Sequence, residues 1–196
     1  MTRLLIFSFL ICPLLVAAPA EEQQIAQLYA RGLAGDKQAV NDCVTALESR
    51  LAQAPNDQLA RVYLGSSWTL RSRDLPIGPG KLSALHKGIA LMDEAATAAP
   101  NETKVLLLRA VTNEALPGFL GRRKIARQQL EALVTMIEQN PGKLSPADRQ
   151  LLYLNAGEAA KRAGDASRAK ELWQRGLTID ADSTMKKQIE TALAQE

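Results

Sequence analysis

The chain has 196 residues, with 24 Lys and Arg against 21 Asp and Glu and a single histidine, for a formal net charge of +3. So small an excess speaks against a nucleic-acid-binding domain, which carries a strong basic surface, while 46% apolar residues suffice for one domain with its own core. With Cys12, Cys43 and His86 as the only residues of their kinds, the sequence holds no His/Cys cluster of metal-ligand spacing, and it implies no cofactor.

Residues 1–20 read as a secretory signal peptide. Arg3 is the only charge, an apolar run follows from Leu4 to Val16, and Ala18-Pro19-Ala20 forms a small-residue cleavage site before Glu21. The run is shorter than the roughly 20 apolar residues that a membrane span needs. Cys12 lies inside that run and follows Ile11 rather than a small residue, so it does not read as a lipoprotein site. The chain is therefore expected to be exported, with the periplasm as its compartment. The mature part, residues 21–196, keeps Cys43 alone and so forms no internal disulfide. Cys43 shares an apolar stripe with Val40, Val44 and Leu47, which predicts a buried thiol.

Residues 21–196 read as helices throughout. Ile25, Leu28, Tyr29, Gly32 and Leu33 repeat at helical spacing, Gly35 ends that helix, and Asp36 caps a second one carrying Val40 to Leu51. A second pair opens at Asp57, with Leu64, Gly65 and Trp68 on its first helix and Gly88, Met92 and Ala95 on its second. Between them, residues 71–81 read as an insertion. Its Pro76, Gly78, Pro79 and Gly80 predict irregular structure, with Leu75 and Ile77 sheltered against Phe119 and Leu120. A third pair takes residues 102–115, apolar on nearly every side, and residues 122–139, with residues 116–121 as the break. Ser145 and Pro146 open a fourth pair, and Met185, Ile189, Ala192 and Leu193 form the stripe of a last helix.

Within residues 150–183, Tyr153, Gly157, Gly164-Asp165, Ala169, Trp173 and Gly176 fall at the spacing of a tetratricopeptide (TPR) repeat. Residues 57–101 match it with the insertion: Gly65 to Gly88 spans 23 residues where Gly157 to Ala169 spans 12. On these motifs the chain resembles the TPR family. Its turns at residues 71–82 and 116–123 are similar to those of uncharacterised bacterial secreted TPR-like proteins. Ala181 stands where the repeat usually ends in Pro, and Gly176 where it usually has Ala. The resemblance implies an all-α, TPR-like right-handed superhelix of about four antiparallel helix pairs plus a C-terminal capping helix. It also implies a concave groove lined by the first helix of each pair, here by Ser66, Thr69, Asn155, Glu158, Lys161 and Arg162.

Charge is unevenly placed. Residues 61–127 hold 11 Lys and Arg against 5 Asp and Glu. The excess gathers at the two irregular connections, as Arg71, Arg73, Lys81 and Lys87 and then as Arg122, Arg123, Lys124 and Arg127. Corresponding turns of a repeat array share an edge, so these residues are expected to form one basic edge for an anionic partner. Gly78-Pro79-Gly80-Lys81 lacks the first Gly and the hydroxyl of a phosphate loop.

The leading expectation is thus an exported, non-catalytic adaptor that binds an acidic or extended protein segment through groove and edge. A binder of anionic lipid or envelope polymer is the alternative. An enzyme using His86 with a carboxylate such as Asp74 comes third, since no catalytic motif accompanies that histidine.

Overall fold

Local signals set the helix starts. The Asp36 carboxylate accepts from the Ala39 N–H at 3.0 Å, Asp57 from Ala60 at 2.9 Å, Asp165 from Arg168 at 3.0 Å, and the Ser145 hydroxyl from Asp148 at 3.1 Å. Each such cap satisfies a donor that the first helical turn leaves free, and its loss costs about 1 kcal/mol. The computed structural model, which describes residues 18–195, carries nine α-helices and no strand among those residues. They are α1 (Ala18–Leu33), α2 (Lys37–Gln53), α3 (Gln58–Asp74), α4 (Pro79–Ala98), α5 (Thr103–Ala115), α6 (Arg122–Gln139), α7 (Pro146–Arg162), α8 (Ala166–Leu177) and α9 (Ser183–Ala194). Up to residue 17, the expected leader lies outside the described residues.

The helices pack in neighbouring pairs. α1 lies on α2, α3 on α4, α5 on α6 and α7 on α8, while α9 closes on α7 and α8. Each pair rests on the next through both of its helices: α1 and α2 on α3, α3 and α4 on α5, α5 and α6 on α7. The core follows this order. Ile25, Cys43, Leu47 and Leu64 join the first helices; Val62, Met92 and Val105 join α3, α4 and α5; Leu107, Leu130, Leu152, Leu172 and Trp173 fill the second half. Cys43 is 1% exposed, and burial pushes its thiol pKa up.

Two helix crossings have no room for a side chain. A Cβ on Gly157 would stand 2.3 Å from Trp173 Nε1, and one on Gly65 would stand 2.7 Å from the Gly88 carbonyl oxygen and 2.6 Å from Met92 Cγ. Gly88 to Met92 and Ala169 to Trp173 are both steps of four residues. The two crossings share this spacing, with Met92 where the other has the indole; the first brings backbone against backbone and the second brings Gly157 under the Trp173 ring.

Two expectations are corrected. Residues 71–81 are largely helical: α3 continues through Asp74, and α4 begins at Pro79. Proline is compatible with a helix at its first position, where its missing N–H has no intrahelical partner. The insertion therefore lengthens both helices of the second pair and leaves only residues 75–78 as the turn. Nor do the two irregular turns shelter each other, since Ile77 is 97% exposed and Phe119 is 83% exposed.

Candidate functional site

The polar residues assigned to the groove separate into two groups. Ser66 and Thr69 are buried. The Ser66 hydroxyl sits between Tyr29 Oη at 2.7 Å and Thr112 Oγ1 at 2.9 Å, tying α1, α3 and α5 together, and Thr69 donates to the Ser66 carbonyl at 2.7 Å. Here hydroxyl–hydroxyl bonds satisfy groups that a dry helix interface would otherwise penalise. These two residues are packed between helices and bonded within the fold rather than open to an exposed groove. Asn155 donates to the carbonyl of Leu151 one turn back at 2.9 Å. Glu158 lines a shallow hollow against Thr184, Lys187 and Gln188 of α9. Lys161 lies 5.6 Å from the centre of the Trp173 ring.

The basic residues of the first irregular turn are engaged within the fold. Arg73 bonds Asp74 at 2.9 Å and donates to the Gly32 carbonyl at 3.1 Å. Its guanidinium holds the Asp74 carboxyl below the ordinary aspartate pKa. Lys81 donates to the carbonyls of Arg73 and Leu75, each at 3.1 Å, and so closes the end of α3. Arg71 and Lys87 lie 4.7 and 3.9 Å from the ring centre of the half-buried Trp68, and Lys87 also reaches Glu48 at 3.3 Å. His86 stands exposed on α4, and the carboxylate named for it, Asp74, is bound to Arg73.

The second irregular turn is arranged differently. Gly121, in the left-handed region at φ 69°, turns the chain into α6, whose first turn holds Arg122, Arg123 and Lys124 and no acidic residue. Cations at a helix N-terminus add to the positive end of the helix dipole, which is an unfavourable placement unless an anion joins them. Arg122 is engaged within the fold, bonding Asp93 at 2.5 Å, a carboxylate it shares with Arg109, and the Asn113 side-chain oxygen at 3.2 Å. Arg123 donates to the Leu116 carbonyl at 3.1 Å, which fixes its stem.

Arg123, Lys124 and Arg127 of α6, Arg162, Ala159 and Ala163 from the end of α7, and Glu114 of α5 line one cleft of about 320 Å³. Glu114 is the only carboxylate in this lining. It is 4% exposed and paired with Arg162, so it orients that guanidinium, while Lys124 and Arg127 are exposed on the same lining. The lining thus carries a formal charge of +3, from Arg123, Lys124, Arg127 and Arg162 against Glu114. A cleft of one sign with apolar walls focuses the field on an entering anion. The hollow between α1, α2 and α3, lined by Ile25, Leu47, Leu59 and Tyr63, holds about 150 Å³ and makes a poorer site. Its rim cations Arg50 and Lys104 are already paired, with Asp57 and Asp148.

The cleft joins residues that the sequence reading had assigned to separate surfaces: Arg123, Lys124 and Arg127 to the edge, Arg162 to the groove. Glu114 was overlooked. Its signal is periodicity, because Leu107, Ala110 and Glu114 fall on one stripe of α5, and a carboxylate on a buried stripe calls for a cationic partner. Against known proteins, no family model, no curated protein and no solved structure matches the chain.

Proposed function

We propose that this protein is an exported adaptor of TPR-like build that captures an acidic protein segment in the cleft between α5, α6 and α7. The convergence of Arg123, Lys124, Arg127 and Arg162 on one opening, with a single buried carboxylate among them, carries this reading. The TPR-like reading, with a right-handed superhelix, draws support from the two glycine crossings of like spacing and from the stacking of pair on pair. Such an array holds its side chains in place before binding, so little ordering entropy opposes capture. The leader motif of residues 1–20 supports export to the periplasm.

The test is a titration of the protein into a fluorescein-labelled oligoglutamate peptide, read by anisotropy. Wild type binds at low salt and releases near 1 M NaCl, where the Debye length shrinks to about 3 Å. The Arg123→Glu/Arg127→Glu variant is expected to lose at least about tenfold in affinity, the loss falling mainly on association rate. Arg73 and Arg122 are left intact, because reversing Arg122 would set a carboxylate against Asp93 and reversing Arg73 would set one against Asp74. A variant that keeps the wild-type melting temperature and the wild-type affinity contradicts the proposal.

A further inference from the structure

Single exposed apolar residues are ordinary on a soluble protein. Their distribution here is not. Among the described residues, the large exposed hydrophobics are Leu33, Ile77, Leu82, Phe119 and Ile125. Each lies at a turn that closes one of the first three hairpins: Leu33 at the end of α1, Ile77 and Leu82 around the α3–α4 turn, Phe119 and Ile125 around the α5–α6 turn. The turns that join one pair to the next, at residues 54–57, 99–102 and 140–145, have none. Apolar surface is thus segregated to the hairpin tips.

The same tips carry much of the positive charge. Arg31 and Lys37 flank Leu33; Arg71, Arg73 and Lys81 flank Ile77; Arg122, Arg123 and Lys124 follow Phe119. Arg31, Arg73 and Arg122 are paired with Asp36, Asp74 and Asp93, so the charge that the tips offer rests mainly on Lys37, Arg71, Lys81 and Lys124. The second tip is also held firmly. Lys81 bonds both carbonyls that end α3, and Arg73 bonds the Gly32 carbonyl of the neighbouring turn, so Ile77 is presented on an ordered support.

We infer that the hairpin tips dock on an anionic phospholipid surface, with Ile77 and Phe119 entering the boundary of the acyl chains and the flanking cations meeting the headgroups. Charge complementarity selects the anionic lipid, and shape selects a bilayer over a protein. The apolar residues are single convex points on separate turns, which a soft surface accommodates and a rigid pocket does not. One inserted residue or a few cations alone give marginal binding; the two together give stable attachment. The third tip adjoins the acidic-segment cleft, with Arg123 and Lys124 common to both, and the tips would hold that cleft close to the membrane.

Flotation of the purified protein with vesicles tests this, using phosphatidylglycerol mixed with phosphatidylcholine and, separately, phosphatidylcholine alone. Wild type floats with the anionic vesicles only. The Ile77→Ser/Phe119→Ser variant, changed at positions already in solvent, keeps its fold and its oligoglutamate affinity but loses at least about tenfold in vesicle binding. An Ile77→Cys variant of residues 21–196, in which the only other cysteine, Cys43, is buried, is labelled with a solvatochromic dye and shifts to the blue on anionic vesicles. Failure of wild type to float overturns the inference. So does flotation that the double variant leaves unchanged, or a dye that stays in water. Loss of a protein partner by the double variant, with vesicles ignored throughout, also overturns it and gives the tips to that protein.

Discussion

Replacing Trp173 with alanine is expected to cost about 3–5 kcal/mol, the usual range for removing a fully buried large aromatic. The indole is 0% exposed, lies against Gly157 where no Cβ fits, and donates from Nε1 to the Leu154 carbonyl at 3.2 Å. Truncation empties the contact between α7 and α8 and leaves that carbonyl one partner short. For a chain of this size the melting temperature should fall by roughly 10 °C, followed by circular dichroism. Trp68→Ala serves as the comparison. Trp68 is only half-buried, its face open to Arg71 and Lys87, so it should cost clearly less. Equal losses at the two positions would contradict the packing described here.

Gly88→Ala is the second large effect, and its sign runs against helix propensity. Alanine favours a helix interior over glycine by about 1 kcal/mol. A Cβ on Gly88, however, would stand 2.6 Å from the Gly65 carbonyl oxygen and 2.9 Å from the Thr69 backbone nitrogen. Backbone cannot swing aside as a side-chain tip can, so α3 and α4 must separate along their length. Overpacking of this kind costs roughly 1–3 kcal/mol or more, and a net loss of about 2 kcal/mol is expected in urea unfolding. Gly80→Ala, on the same helix with nothing within 4 Å of the added Cβ, should be neutral or slightly stabilising. If Gly88→Ala is also stabilising, the close crossing of α3 and α4 is wrong.

Those glycines also show how much the sequence disclosed. Gly65, Gly88 and Gly157 fall at the positions of small residues in a repeat, and the structure makes each a point of backbone or indole contact. Helix starts were equally legible, because Asp36, Asp57 and Ser145 act within one turn of where they stand. Distant relations were harder. Periodicity assigns Ser66 to a face of α3 but does not reveal that α1 and α5 cover it, bringing Tyr29 and Thr112 to its hydroxyl. Proline and glycine at residues 76–80 read as a long break, yet Pro79 starts a helix. The cleft was legible only in fragments. Arg123 and Arg162 are 39 positions apart and reach one opening through the packing of α6 against α7.

The opening between α5, α6 and α7 is the proposed seat of an acidic partner. Ala163 lines it and is exposed, so a photo-crosslinking amino acid placed there reports directly on what enters. Irradiation of intact cells, followed by mass spectrometry of the adduct, is expected to recover a partner through an Asp- or Glu-rich segment. The same adduct should vanish when Arg123 and Arg127 are reversed to glutamate. A partner attached through a neutral or basic segment, or an adduct that persists unchanged in the reversed variant, would contradict the account.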